Sequence, residues 1–363
     1  MDRLWWKQIT SARKFTDTIL DNIFSYKGLF LVLPEATPWY ETLKDQIEAR
    51  ITEKDPDRSL QYIQSPEKNV GRFLLNKYCK EEKRAEYRPR PGYSEAVFLA
   101  QCTDIVMNTK IIWVSDIPRT AYDEWASFLN DYYKNASDIR HPATIILETS
   151  DPELAKKAKK GAVKIRFDEN ISQYDVYTFC AMAIADTTCP QKIRPYLAEM
   201  VSIVCGNDVE LCAECIRSWH SFSKEPFKTL MSIQAESIRS NGKGYKITFS
   251  ESEVERKIWE AQIRHVFPAL EWFRSQFISR HKGQLSQLLP IESSFGETYK
   301  EAEDIELGTL FFMVSNGMFN IAKADEKKKL DEYRKMRNSL AHIKTLPFEQ
   351  VESVLISLSV KFD

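Results

Sequence analysis

Residues 330–355 read LDEYRKMRNSLAHIKTLPFEQVESVL, and this stretch decides how the C-terminal third of the chain folds. Its first half carries apolar side chains at helical spacing, which predicts an amphipathic helix. Those side chains are Leu330, Tyr333, Met336, Leu340 and Ile343. Pro347 ends this pattern, and residues 347–360 (PFEQVESVLISLSV) predict one further helix.

Two more helices are predicted upstream. Residues 252–290 form a long amphipathic pattern, whose apolar positions are Ile258, Trp259, Ile263, Val266, Leu270, Phe273 and Phe277. Residues 301–322 predict a shorter helix, with Glu306 inside it and Gly317 as its terminator. The sequence therefore predicts an all-α helical bundle over residues 246–363.

Three polar residues of the stretch, Arg337, Asn338 and His342, have chemistry suited to a phosphodiester. Histidine transfers protons near neutral pH, because its ordinary pKa is about 6.5. Arginine stays protonated and presents a planar fork to phosphate oxygens. On a helix Arg337 and His342 would lie about 140° apart around the axis, whereas Asn338 and His342 share a face. We therefore expect Asn338 to orient the imidazole, and Arg337 to complete a site with a second copy of the helix.

The segment Arg337-Asn338-Ser339-Leu340-Ala341-His342 resembles the R-x4-H motif of the HEPN superfamily in its R-N-x-x-x-H form, and the order of helices over about residues 250–363 is similar too. The resemblance implies a metal-independent endoribonuclease whose site forms across a homodimer interface. His342 would act as general acid or base, and Arg337 would bind the scissile phosphate. Lys344 stands where one group of HEPN toxins has a tyrosine, so nothing tied to that tyrosine is inferred. Alternatively the pattern arises by chance, and His342 only complements the helix dipole.

Residues 1–173 alternate short apolar runs with helical patterns. The predicted strands are 28–34, 60–64, 110–116, 143–148 and 162–167, and the helices between them are 41–51, 69–82, 120–135 and 151–160. This alternation predicts an α/β domain with a parallel sheet covered on both faces. Residues 174–245 read as a helical lid or linker that ends at the turn 241–244. The order resembles the core of a P-loop ATPase of the AAA+ or STAND type.

The chain lacks the phosphate-binding motif that a working P-loop ATPase would have. After the first strand a working enzyme would carry G-x4-G-K-[ST], whose backbone N–H groups wrap the phosphates. This chain has the segment Pro34–Tyr40 there, with two prolines and Glu35, which would repel a phosphate. Asp116 follows the strand 110–116 where a magnesium-holding acid would sit, but a lone acid there is more often a loop residue. We expect no cofactor and no metal ion.

Other clusters favour structural roles over sites. Cys205, Cys212 and Cys215 with His220 have only part of a zinc spacing, so core packing around a Gly-Asn-Asp turn is preferred. The run 156–160 (KKAKK) reads as a solvated helix end. Aromatic pairs at Trp5-Trp6 and Trp39-Tyr40 favour the core over a docking surface.

Composition limits the partners and compartment. The 363 residues include 51 basic and 52 acidic side chains, so no global field attracts RNA and any RNA site must be local. We expect a cytoplasmic protein with no membrane segment, because no apolar run approaches about 20 residues and the start MDRLWWKQIT lacks a signal-peptide pattern.

Two functions from different classes follow. The first is a metal-independent endoribonuclease effector of toxin or anti-phage type, with an RNA substrate, a regulatory N-terminal domain and a possible regulatory protein partner. The second is a non-catalytic scaffold of a defence complex, in which the C-terminal domain only dimerises. A working ATPase ranks below both.

Overall fold

The computed structural model describes residues 1–103, 105–136, 141–158, 161–292, 296, 298–321 and 324–357. The chain divides into two compact units. The first comprises Met1–Asp175 with Ser240–Gly242, and the second comprises Val176–Arg239 with Lys243–Asp363. The helices predicted as a lid therefore group with the C-terminal helices rather than standing alone.

A parallel sheet forms the centre of the first unit. Its described strands are β1 (Gly28–Val32), β2 (Ser59–Gln64), β3 (Lys110–Ser115), β4 (Thr144–Thr149) and β5 (Ala162–Arg166), in the order β2-β3-β4-β1-β5. Every pairing within this sheet is parallel. The predicted strands and the parallel sheet are confirmed, and the unit has an α/β architecture.

Burial explains why some strands are easier to read than others. Strands β1, β3 and β4 lie inside the sheet, and their core positions are almost entirely buried. Such strands are apolar on both faces and appear as continuous runs. Strand β2 is an edge strand with mostly exposed or half-buried residues, and its sequence signal is correspondingly weak.

Helices surround the sheet and differ from the predicted pattern in four places, one of which is the unpredicted short helix Phe167–Asn170. They are α1 (Thr10–Phe24), α2 (Tyr40–Lys54), α3 (Val70–Tyr78), α4 (Glu81–Glu86), α5 (Glu95–Gln101), α6 (Tyr122–Asn135), α7 (Pro152–Ala155) and α8 (Phe167–Asn170). The sequence analysis missed α1 and α5, and the single helix predicted at 69–82 is wrong because Cys79 and Lys80 are extended. Trp5 and Trp6 are buried in the core, as predicted. Of the basic run, Lys159 and Lys160 lie outside the described residues.

The described residues of the second unit are mainly helical and include a short hairpin. Its helices are α9 (Gln173–Ala185), which begins in the first unit, α10 (Arg194–Cys205), α11 (Val209–Arg217), α12 (Trp219–Lys224), α13 (Pro226–Glu236), α14 (Glu251–Leu288), α15 (Leu307–Ser315), α16 (Ala324–Ala341) and α17 (Phe348–Ser357). The hairpin pairs β6 (Ile291–Glu292) with β7 (Thr298–Tyr299). The predicted turn at residues 206–208 lies between α10 and α11, where Asp208 caps α11 by accepting a hydrogen bond from Leu211 N–H at 3.1 Å.

The C-terminal helices follow the predicted order with two corrections. Ser250 and Glu253 form a capping box that starts the long helix α14. Glu306 was expected inside the next helix but precedes it as the N-cap of α15, while Gly317 ends that region with a φ of +69°. Ile343 was expected on the apolar face of α16 but lies beyond the helix and is exposed. Residues 358–360 of the predicted last helix lie outside the described residues.

Candidate functional site

The C-terminal end of α16 is fixed by its own backbone and by α14. Lys344 N–H donates to Ser339 C=O at 2.9 Å, and Ile343 N–H donates to Leu340 C=O at 3.2 Å. This pair of bonds is the Schellman pattern that satisfies carbonyls at a helix end. The Trp259 indole of α14 also donates to Leu340 C=O, at 2.7 Å. The residues around His342 are therefore held in one conformation.

Ile343 is under backbone strain beside the candidate histidine. It occupies the left-handed position of the Schellman turn with a φ of 58°, which glycine usually fills and a β-branched residue rarely adopts. Its side chain nevertheless packs little, because 67% of the residue is exposed. A strained, exposed isoleucine costs stability without returning core burial in the single chain, and such positions are frequently functional.

The segment that follows the turn is anchored by a buried amide. Gln262 of α14 accepts from Leu346 N–H at 2.8 Å and donates to Leu346 C=O at 2.9 Å. The oxygen and the nitrogen of the Gln262 amide thus both bond the backbone of Leu346. Since Gln262 is buried, losing it would leave these backbone groups unpaired. Helix α14 therefore supports the candidate site both before and after His342.

Arg337 is paired with carboxylates from two elements of its own unit. Its guanidinium lies 3.3 Å from Glu306 at the start of α15 and 3.9 Å from Glu271 of α14. Arg274 shares Glu271, at 2.7 Å. The Glu306 side chain is 56% exposed, so this ion pair is held in water and is worth little free energy. Arg337 is positioned by these acids yet could exchange them for a phosphate.

His342 is an exposed residue just past the end of α16. The backbone N–H of His342 donates to the carbonyls of Asn338 and Ser339, both at 3.1 Å. Within the described ranges no hydrogen bond joins the imidazole to the Asn338 side chain, and none joins it to Arg337. A single chain thus brings Asn338 and His342 together through the backbone alone, and it leaves the imidazole available to a ligand or a second chain.

The loop after β1 closes on itself. The Thr37 N–H and hydroxyl both donate to Pro34 C=O, at 3.0 and 2.7 Å. The Trp6 indole donates to Pro38 C=O at 3.0 Å. Trp39 then takes a left-handed conformation, with a φ of 42°, before α2 begins. A phosphate-binding loop needs open backbone N–H groups, whereas here the Thr37 N–H is used within the turn and the two prolines have no N–H.

At the same edge of the sheet, Glu148 forms a closed cluster with Tyr40 and Trp113, which we call the Glu148 cluster. Both the Tyr40 hydroxyl and the Trp113 indole donate to Glu148 Oε2, each at 2.5 Å. Burial raises the pKa of Glu148, although the two donors and Lys44 oppose that rise. Burial, followed by the charge of Glu148, raises the pKa of Tyr40. A carboxyl group of the chain itself therefore occupies this edge of the sheet.

Asp116 follows β3 at the position predicted from sequence. It adopts a left-handed conformation with a φ of 54°, is exposed, and accepts a hydrogen bond from the Ser115 hydroxyl at 3.3 Å. Among the residues that the structure describes, no group of three or more histidine, cysteine or acidic side chains is arranged to hold a metal ion.

The cysteines considered for zinc are part of the core. Cys205, Cys212 and Cys215 are buried free thiols, which confirms the core-packing prediction. His220 is not part of this buried group. It is exposed, and its ring stacks on Trp219 with 3.6 Å between the ring centroids. A further cysteine, Cys180 of α9, joins the group instead, a neighbour that the spacing could not reveal.

Comparison with known proteins adds no assignment. No family model matches the chain, and no curated protein matches it. A solved structure described as the ORC2 protein of Aeropyrum pernix, in ADPNP–ADP complexes, is 13% identical, and the match covers 95% of this chain and 92% of that chain. Its TM-score is 0.30, which is too low to support an argument about fold or function. None of the described helices is both long enough and apolar enough to span a bilayer.

Proposed function

We propose that the chain is a metal-independent endoribonuclease effector whose C-terminal region is a HEPN-like domain. The observation that carries the proposal is the exposed residue His342, at a hydrogen-bonded helix end five residues after a partly exposed arginine. Histidine can transfer a proton to or from the reacting oxygens, and arginine can bind the phosphate. In this reaction the RNA 2′-hydroxyl attacks the adjacent phosphorus, the 5′-oxygen leaves, and a 2′,3′-cyclic phosphate remains.

The active form in this proposal is a homodimer. Arg337 is directed to Glu306 and Glu271, whereas His342 is an exposed residue beyond the helix and its ring makes no hydrogen bond to it in the described chain. One copy therefore does not assemble both groups around a phosphate. A second copy could supply the missing partner, and the exposed, strained Ile343 beside His342 is a contact that such an interface would cover. Residues 246–363 would carry this interface.

The N-terminal unit has a regulatory role in this proposal. Its ATPase-like sheet places its own carboxylate, Glu148, and a closed turn from Pro34 to Thr37 at the edge where an ATPase would present phosphate ligands. We expect no ATP binding, which calorimetry with ATP and magnesium would test. Micromolar binding that is lost in Asp116→Ala would contradict this part of the proposal.

The direct test uses purified full-length protein and RNA. Wild type should cleave RNA in EDTA and leave 2′,3′-cyclic phosphate ends, whereas His342→Ala should not. Lys344→Ala is the matched control, because Lys344 is exposed in the same turn and contributes its backbone N–H to the turn. Expression in a bacterium gives a second readout, with growth arrest expected for wild type and for Lys344→Ala only.

A non-catalytic scaffold is the second candidate, and one observation favours it. Arg337 is already neutralised by acids of its own unit, as a structural arginine would be. In that case wild type and His342→Ala would leave RNA equally intact, alone and with the natural neighbours of the protein. Light scattering would then show the same oligomer for both proteins.

A further inference from the structure

Four of the seven cysteines converge inside the second unit. Cys205 ends α10, Cys212 and Cys215 lie on α11, and Cys180 lies on α9; we call these residues the thiol cluster. The sulfur atoms of Cys205 and Cys215 are 3.6 Å apart. Cys205 also interacts with Cys212, and Cys212 with Cys180. Ordinary core packing does not require the sulfur atoms to touch one another.

We propose that Cys205 and Cys215 are a redox-active pair that a peroxide converts to a disulfide. The two sulfur atoms already touch, and about 1.5 Å of further approach brings them to bonding distance. The cysteines belong to adjacent helices joined by the turn at residues 206–208, where Gly206 has a φ of 61° and no heavy atom lies within 4 Å of the position that a Cβ would occupy. That turn gives the end of α10 room to move toward α11.

The chemistry assigns different roles to the two sulfurs. Cys205 is the one that reacts first, because 5% of the residue is exposed and Cys215 is fully enclosed. Burial and the charge of Asp208 raise the pKa of the Cys205 thiol, but hydrogen bonding with the Cys212 and Cys215 thiols and the charge of Lys257 together bring it below its ordinary value. Burial raises the pKa of Cys215. The Cys205 thiolate is therefore the better nucleophile of the pair.

The reaction balances with hydrogen peroxide as the oxidant. The Cys205 sulfur attacks one peroxide oxygen, the O–O bond breaks, and a sulfenic acid and water form. Cys215 then attacks that sulfur, a second water leaves, and the disulfide closes. Two thiols lose two electrons in total, and the peroxide is reduced to two waters. A thiol reductant reverses the change.

Peptide mapping of the full chain tests this pairing. After treatment with hydrogen peroxide and blocking of the remaining thiols, the number of free thiols should fall from seven to five. A protease that cuts after glutamate separates the three nearby cysteines, because Glu210 lies between Cys205 and Cys212, and Glu214 lies between Cys212 and Cys215. The expected product is a linked pair of peptides containing Cys205 and Cys215, which a reductant releases.

Variants distinguish this pair from general oxidation. Cys205→Ala should keep its other thiols under the same treatment, and Cys215→Ala should stop at a sulfenic acid on Cys205 that dimedone traps. The control is Cys189→Ala, since Cys189 is a buried thiol that contacts Pro190 C=O and should not affect the link. Thermal unfolding identifies any variant that fails to fold. If either Cys205→Ala or Cys215→Ala fails, the result for the other variant tests the pairing. Seven persisting thiols in the folded wild type, or a link that joins other cysteines, would overturn the proposal.

Discussion

The carboxyl edge of the parallel sheet and the C-terminal end of α16 both carry ionisable side chains, but they differ in how those side chains are satisfied. In the Glu148 cluster the half-buried Tyr40 and the buried Trp113 both donate to one carboxylate oxygen. At the end of α16 the residue His342 is exposed, and Arg337 is held by acids that water can reach. The same fold thus contains one arrangement that is complete within the chain and one that is incomplete. Completeness indicates a structural role, whereas the exposed residue His342 lies where the proposed RNA substrate would bind.

The largest expected effect of any substitution is at the α16 end. His342→Ala and Arg337→Ala should each lower the rate of RNA cleavage by about 10²–10⁴-fold, because each removes a group that acts on the transition state. Single-turnover cleavage of a labelled RNA measures the rate, and circular dichroism checks that the fold survives. Lys344→Ala should cleave like wild type. Equal activity of all four proteins would place catalysis elsewhere or show contamination.

Removing the central carboxylate of the Glu148 cluster should be the most destabilising change at the sheet edge. Glu148→Ala leaves the Tyr40 hydroxyl and the Trp113 indole without an acceptor, and we expect a loss of about 2–4 kcal/mol in the free energy of unfolding. Urea denaturation measures it. Glu153→Ala is the matched control, because Glu153 makes only a surface ion pair with Lys156. A loss as small as that of the control would mean that water replaces the carboxylate freely.

The same carboxylate should give the wild type a defined pH dependence. The pKa of Glu148 is raised by burial above its ordinary value of 4.5, so the folded protein binds its proton more tightly than the unfolded chain. Its contribution to stability is therefore fully present below the unfolded pKa and is lost as the pH rises through the folded pKa. Glu148→Gln cannot titrate and should lack this component. Identical pH profiles of unfolding for the two proteins would show that the two hydrogen bonds offset the burial.

The sequence predicts the strands because burial on both faces leaves a direct mark in composition. The apolar run in β3 can be read without any knowledge of its neighbours. Helix α1 carries a readable signal as well, since Ala12, Phe15 and Ile19 recur at helical spacing just before the apolar run of β1. At the end of α16 the helical spacing of apolar residues predicts one position too many, Ile343. Ile343 fits the helical period but lies past the Schellman turn, where periodicity no longer applies.

Only the part of the candidate site that is local in sequence could be predicted. Arg337, Asn338 and His342 are close in sequence, so a short pattern could reveal them. Their supports could not be found in this way, because Gln262 meets Leu346 across 84 positions. The Glu148 cluster joins residues 108 positions apart, and Tyr40 was considered only as an aromatic. Local patterns report helix faces and strand burial, whereas partners in polar contacts depend on tertiary packing.

Ile343→Gly separates stability from assembly. Glycine adopts the left-handed conformation at residue 343 without strain, so the single chain should gain about 0.5–1 kcal/mol in the free energy of unfolding. If the exposed side chain is part of a dimer interface, the same change should weaken the dimer in light scattering across a dilution series. Thr345→Gly is the control in the next part of the loop and should lose stability, because glycine there only adds freedom to the unfolded chain. A more stable variant that dimerises as well as wild type would remove Ile343 from the interface.

Glu306→Gln should have the smallest effect on the fold and a selective effect on the site. The ion pair between Glu306 and Arg337 is exposed, so the free energy of unfolding should change by less than about 0.5 kcal/mol. The neutral amide competes less with phosphate for Arg337, so RNA binding at low salt should tighten by a few-fold (about 0.5–1 kcal/mol). Glu303→Gln removes a nearby charge that pairs with Lys282 instead, and it should leave RNA binding unchanged. A loss of cleavage in Glu306→Gln comparable to that in Arg337→Ala would contradict this prediction. It would mean that Glu306 holds Arg337 in the position that catalysis requires, rather than competing with phosphate for it.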